Sequence, residues 1–561
     1  MNAVPPAQPA SAAAPFALAA PHALATGAGD AVRAEGGNAV DAALAAAIAL
    51  TVVYPHQCAV GGDLIALVAL PDGRTLTVNG SGAAAAGADP GAFSGPRMPV
   101  TGARTVTVPG VVAGWATLHE LAGRLPWERL FDAAVTYARD GVPTAPGVST
   151  ALRQEAPLLL GDPGMREVFF PDGVPLATGA VLRQPALARS LALLAERGPR
   201  ALYEGELGAG LVELLRSLGS PLTRDDLARH TTEVTEPLAT VFRGEEYLTA
   251  PPNSQGLHLL QALALVERMP RDAELLGAEA SLLARIFDAI TQDRDSHLAD
   301  PRQVDVPVAE LLGAAHLDTV AERVLGGERV LGGERVLGGE RVLGGERVLG
   351  GERTASVPGG ARRAQAARPS GDTVAVVAAD AEGYAVSLIQ SLFHSFGSGI
   401  LDPWSGIVLH NRGSFFDLAP GAPNRLAGGR RPAHTLMPVL TRRDGVISGA
   451  HGTMGGKAQP QIHTHLALRL AAGDDPVRAL GRPRWVIGGL GVDEPAGVAS
   501  VEGSVPAEAL SALVGVGYRT EVLAELDEQV GHGQMVRRRE DGGFDAGTDP
   551  RSDGAVAVRR A

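Results

Sequence analysis

Gly371-Asp372-Thr373-Val374-Ala375-Val376-Val377-Ala378-Ala379, followed by Tyr384-Ala385-Val386-Ser387-Leu388-Ile389-Gln390-Ser391, is the stretch whose reading decides the fold. Both runs are rich in small and β-branched residues, and Ala381-Glu382-Gly383 between them has the composition of a turn, so together they predict a β-hairpin. Phe396-Gly397-Ser398-Gly399-Ile400 closes the segment. Thr373 opens the first strand. A threonine hydroxyl is a weak nucleophile, and one way to activate it is to cut the preceding peptide bond, so that its own α-amine becomes a general base. That chemistry would sever the chain between Asp372 and Thr373. Threonine is also an ordinary strand residue, so the hairpin alone does not separate a nucleophile from a packing residue.

The rest of the sequence supplies the context. The hairpin segment is similar to the processing site of the γ-glutamyltransferase family of N-terminal nucleophile hydrolases, of which this chain reads as a divergent member. Gly36-Gly37-Asn38-Ala39-Val40-Asp41-Ala42, Pro55-His56, Gly61-Gly62-Asp63 and Val108-Pro109-Gly110 resemble family motifs in order. So do Pro251-Pro252-Asn253-Ser254-Gln255-Gly256, Gly406 to Gly413, Arg431-Pro432-Ala433-His434-Thr435-Leu436-Met437-Pro438, and Gly452-Thr453-Met454-Gly455-Gly456. The resemblance runs from about residue 18 to the C-terminus. It implies a four-layer αββα sandwich, whereas periodicity alone supports only an α/β or α+β chain. It also implies two associated segments of one self-cleaved zymogen, 18–372 and 373–561, after a flexible N-terminus over 1–17.

Length alone would suggest three or four domains for 561 residues; the resemblance makes them one unit. A net charge of −13 argues against nucleic acid and anionic membranes as partners, because polyanions require a positive field. One cysteine excludes a disulfide scaffold. The first residues show neither a basic n-region nor an unbroken apolar run, and no stretch approaches a membrane span, so a cytoplasmic protein is expected. Residues 38–53 read as a buried helix, 64–70 and 75–78 as strands, and 110–320 as predominantly helical. The hexapeptide Glu-Arg-Val-Leu-Gly-Gly recurs five times between Glu322 and Gly351. Its glycine pairs break helices and its Val-Leu pairs bury little, so 322–370 reads as a disordered low-complexity tail of the first segment.

By resemblance, Thr373 is the nucleophile, the hydroxyl of Ser391 bonds it, and the backbone N–H groups of Gly455 and Gly456 form an oxyanion hole. Glutathione-cleaving members hold the substrate carboxylate with an arginine that is missing from Asn79-Gly80-Ser81-Gly82-Ala83-Ala84-Ala85, and hold its α-amine through positions that here are Phe393, Arg412 and Phe415. His434-Thr435 replaces a further pair of that pocket. Neither an arginine nor a phenylalanine accepts a bond from an ammonium. Phe393, Arg412, His434 and Thr435 are therefore expected to line an altered substrate pocket.

The implied activity is amide hydrolysis or acyl transfer from a γ-glutamyl or related acyl amide, glutathione hydrolase-like, through an acyl-threonine, with water or an amine as acceptor. Two alternatives stand beside it: an acylase acting on a small acid amide or a cephalosporin-type side chain, and a non-catalytic relative serving as a binding protein. No cofactor and no metal are expected. Gly455-Gly456-Lys457 lacks the Ser or Thr of a phosphate loop, and His463 and His465 point apart on a helix.

Overall fold

The computed structural model describes residues 14–327, 371–488 and 497–560. Two antiparallel sheets lie face to face. The first has seven strands in the order Ala555–Arg559, Phe16–Ala20, Gly371–Asp380, Ala385–His394, Asp63–Ala69, Thr75–Asn79, Glu233–Thr235. The second has six, in the order Phe544–Thr548, Gly533–Arg538, Val446–Thr453, Val439–Arg443, Glu245–Thr249, Leu238–Phe242. Small side chains line the interface between them: Ala17, Ala19, Val377, Ala379, Leu440, Ala450 and Val536 belong to one buried cluster. Alanine is frequent here because two sheets about 10 Å apart leave little room.

Each sheet covers its outer face with helices. Ala39–Val53 is buried at every position, against the first sheet, and is capped by Asn38, whose side chain accepts the amides of Val40 and Asp41. Gly256–Val266, Ala280–His297 and Gln459–Ala471 contribute to the core over the second sheet. The result is the expected four-layer αββα sandwich, an α+β fold.

The two segments expected from cleavage are sewn together. Phe16–Ala20 pairs with Gly371–Asp380, Asp63–Ala69 with Ala385–His394, and Glu245–Thr249 with Val439–Arg443. Severing the chain before Thr373 would leave these ladders intact.

Three expectations need correction. The N-terminus is not flexible through residue 17: Phe16 and Ala17 are fully buried in a strand between two neighbours, which supply both their hydrogen bonds and their packing. The tail does not begin at Glu322, because helix Ala314–Leu325 continues into the first repeat and buries Val324. The remaining repeats fall outside the described residues. Strands Glu233–Thr235, Leu238–Phe242 and Glu245–Thr249 interrupt a region read as helical. Among the described residues no helix is long and apolar enough to cross a membrane.

Candidate active site

The hairpin carries Thr373 into the interior. Its two strands stay in register from Ala385 opposite Ala379 to Gln390 opposite Val374, then slip by a bulge before Phe393 pairs with Asp372. The bulge turns Ser391 toward Thr373, and both residues are about 2% exposed or less. Thr373 Oγ1 donates to Ser391 Oγ at 3.1 Å. Ser391 Oγ donates to the carbonyl oxygen of Asp372 at 2.5 Å and accepts the Phe393 amide at 2.7 Å. A hydroxyl has one donor and two acceptor sites, so Ser391 is fully engaged. Gly62 lies against it; a Cβ there would sit 2.6 Å from the Ser391 carbonyl oxygen.

Gly455 and Gly456 follow strand Val446–Thr453 and start a short 3-10 turn packed against the Thr373 strand. Their φ values are 149° and 49°, and a Cβ on Gly455 would lie 2.2 Å from Ile462 Cδ1. Only glycine fits that backbone. Gln255 ties this turn to the neighbouring strap, its Nε2 donating to the carbonyls of Gly456 at 2.8 Å and Thr435 at 2.9 Å.

Beside the hydroxyl pair stands a polar group absent from the expected site. Asp63 is buried, its Oδ1 accepting the Gly82 amide at 3.1 Å and its Oδ2 lying 3.2 Å from both His410 Nδ1 and His434 Nε2. Burial alone would raise its pKa, but the two histidines outweigh that and hold the carboxyl well below the usual range. His434 accepts the Leu436 amide at Nδ1, which leaves Nε2–H to donate to Asp63. Burial pushes the His434 pKa down to about 3, so the ring is neutral at physiological pH.

Arg412 is 1% exposed. Its guanidinium lies 3.8 Å over the Phe393 ring, and Nη1 donates to Thr435 Oγ1 at 3.2 Å. Phe393 adopts φ 81°, a strained value for a bulky residue, which puts its ring beneath the cation. The four expected pocket residues are thus brought together. The position of the missing arginine is filled by an amide and hydroxyl network: Ser81 Oγ donates to Asn79 Oδ1 at 2.7 Å and accepts from Asn253 Nδ2 at 3.2 Å. Asp63, Asn253, Gln255 and His410 lie inside the family-like motifs, but nothing in the sequence gives any of them a role.

Comparison with known proteins supplies the family. The sequence model of the Gamma-glutamyltranspeptidase family matches residues 25–559. The chain belongs to this family. Among its relatives are the oxamate amidohydrolase proenzyme of Klebsiella pneumoniae, 34% identical over 543 residues and covering 94% of this chain and 95% of that one. A glutathione hydrolase-like proenzyme of Bacillus subtilis is 33% identical over 540 residues, covering 95% and 96%. The solved structure of a cephalosporin acylase from Bacillus halodurans superposes with a TM-score of 0.82 at 29% identity, covering 99% of each chain. This γ-glutamyltranspeptidase-family chain is accordingly an enzyme, and the non-catalytic alternative falls away.

Proposed function

We propose that the chain cleaves itself between Asp372 and Thr373 and then hydrolyses an acyl amide through Thr373. The observation that carries this reading is the single hydroxyl of Ser391, which touches both the Thr373 hydroxyl and the carbonyl that Thr373 must attack. In the uncut chain Thr373 Oγ adds to the carbonyl carbon of Asp372. Its proton passes to Ser391 Oγ, while the Ser391 proton moves onto the Asp372 oxygen, where negative charge develops. On collapse the C–N bond breaks and the proton on the Asp372 oxygen passes to the departing nitrogen, leaving an ester on Thr373 Oγ and a free α-amine. Water hydrolyses the ester and releases Asp372 as a new C-terminal carboxylate.

The liberated α-amine then takes the Thr373 hydroxyl proton as Oγ attacks the donor amide and passes it to the departing nitrogen. The acyl group remains on Oγ until water, deprotonated by the same amine, displaces it. Gly455 and Gly456 are the candidate donors to the oxyanion in both steps. The relatives named as proenzymes support processing, and the oxamate amidohydrolase and the acylase support amide donors other than γ-glutamyl peptides.

Intact-mass measurement of freshly purified protein tests the proposal. It should show two species, one ending at Asp372 and one starting at Thr373, and Thr373→Ala should give a single inactive chain. A Thr373→Ala variant that still hydrolyses amides would sink the mechanism.

A further inference from the structure

An arginine removed from water normally delivers its donors to a carboxylate or to several carbonyl oxygens, because an unpaired buried charge is costly. Three other buried arginines obey this, whereas Arg33, stacked on the Phe16 ring with Nη1 on the Gly37 carbonyl, also leaves Nε and Nη2 unpaired among the described residues. Arg484 and Arg551 pair with Asp549, and Arg551 also with Glu502. Arg431, close in sequence to the site, donates to Glu233 Oε2 at 2.5 Å and to the Thr231 carbonyl at 3.2 Å.

Arg412 does not. It bonds Thr435 through Nη1, while its Nε and Nη2 have no hydrogen-bond partner among the described residues. The carboxylate whose charge reaches it is Asp63, and Asp63 already serves Gly82, His410 and His434. Burial lowers the Arg412 pKa to about 9, which leaves the group charged at neutral pH. Lys457 adds to the same field: its Nζ lies 5.2 Å over the Phe415 ring, and Phe415 is 5.4 Å from Phe393. The combined charge of Arg412 and Lys457 reinforces the effect of burial in pushing His394 down to about 3.

Arg412 is linked to the reacting atoms through one residue. Phe393 makes the link, since its amide bonds Ser391 Oγ and its ring supports the guanidinium. Ser391 Oγ is itself 3.1 Å from Thr373 Oγ1. We propose that Arg412 is the anchor for a carboxylate on the acyl donor, so that the substrate is the monoamide of a short dicarboxylic acid carrying no α-ammonium group. This inference rests on Thr373 being the nucleophile. The chemistry of the pocket also turns away an ammonium. Phe393 and Phe415 offer it no acceptor, and Arg412 repels it. Two parallel N–H donors on a buried guanidinium suit a planar carboxylate better than any other small anionic group on an acyl chain.

Five-carbon p-nitroanilides separate the possibilities, because they share one leaving group and differ only at the far end. Glutaryl p-nitroanilide carries the carboxylate alone, γ-glutamyl p-nitroanilide carries carboxylate and ammonium, and pentanoyl p-nitroanilide carries neither; malonyl and succinyl homologues scan the chain length. For the wild-type enzyme, kcat/KM of the best acid donor should exceed that of the pentanoyl and γ-glutamyl donors by about 100-fold, the size expected for a charge-assisted pair. In Arg412→Gln the advantage of acid over pentanoyl should fall to less than about tenfold, and Arg412→Lys should be intermediate. Rates are expressed per cut chain, so a folding or maturation defect cannot imitate the change in ratio. Should the Gln variant fail to fold, the wild-type ratios still decide. A wild-type enzyme that cleaves the pentanoyl donor as well as the acids, or the γ-glutamyl donor best, overturns the Arg412 assignment while leaving Thr373 in place. An Arg412→Gln variant retaining the full ratio does the same. A chain that neither cuts itself nor cleaves any donor overturns the Thr373 mechanism and this inference with it.

Discussion

Ser391→Ala is the substitution that most directly probes how the uncut chain is arranged for self-cleavage. The change removes one oxygen that makes three bonds: to the Asp372 carbonyl at 2.5 Å, from the Phe393 amide at 2.7 Å, and from Thr373 Oγ1 at 3.1 Å. The first of these opposes the charge that develops on the Asp372 oxygen, and removal of one such donor slows related reactions by about 100-fold to 1000-fold. The other two leave a buried amide and a buried hydroxyl unpaired, at about 1–3 kcal/mol each in stability. Processing and folding should therefore both suffer, and the two effects are separable. Protein purified quickly and incubated at 25 °C would be sampled over time for the segment that starts at Thr373, while urea unfolding of the uncut chain reports stability. Slow processing with a stability loss of about 2–6 kcal/mol is expected, and Ser391→Thr, which restores a hydroxyl, should recover much of the rate. A Ser391→Ala chain that matures as fast as the wild type would rule out a part for this hydroxyl in cleavage.

Gly455→Ala should lower turnover by about tenfold or more, since the added Cβ meets Ile462 2.2 Å away and shifts the candidate oxyanion donors; steady-state kinetics of the mature enzyme checks it. Asp63→Asn removes the charge shared by His410 and His434 and should cost about 3 kcal/mol, read by chemical denaturation. The protein should also lose stability on mild acidification. Burial lowers His56, His394 and His463 to about 3 in the fold. Between that value and the ordinary histidine range the unfolded chain binds protons that the fold does not. Stability is therefore complete above about pH 6.5 and falls as pH drops toward 3, by on the order of 1 kcal/mol per pH unit for each ring. Melting temperatures measured from pH 7 to pH 5 should decline steeply, and a flat profile would contradict the assignment.

Local pattern made much of the architecture legible. Residues 38–53 were expected as a buried helix and form Ala39–Val53; the 64–70 and 75–78 strands form Asp63–Ala69 and Thr75–Asn79. The strands inside 233–249 were missed because their alternation is masked by acidic residues. Glu245 and Glu246 look exposed in sequence, yet they pair across the sheet with Arg537 at 2.8 Å and Arg442 at 2.6 Å. The site divides in the same way. Thr373 and Ser391 stand out in the sequence through the family resemblance of one hairpin, and the fold puts their hydroxyls 3.1 Å apart. Asp63 stands out as the single charge heading an apolar strand, but His434, its partner, is 371 residues away. Nothing local distinguishes Arg412 from Arg431, and only the fold reveals that one finds a carboxylate and the other does not.

The central claim is that Thr373 Oγ carries the acyl group. Rapidly quenched reaction mixtures of mature enzyme and a p-nitroanilide donor, digested and analysed by mass spectrometry, locate that group directly. The account predicts a mass increase equal to one acyl group on the peptide that begins at Thr373, absent from Thr373→Ala protein. An adduct on another residue, or turnover with an unmodified Thr373 peptide under conditions where deacylation limits the rate, would contradict it.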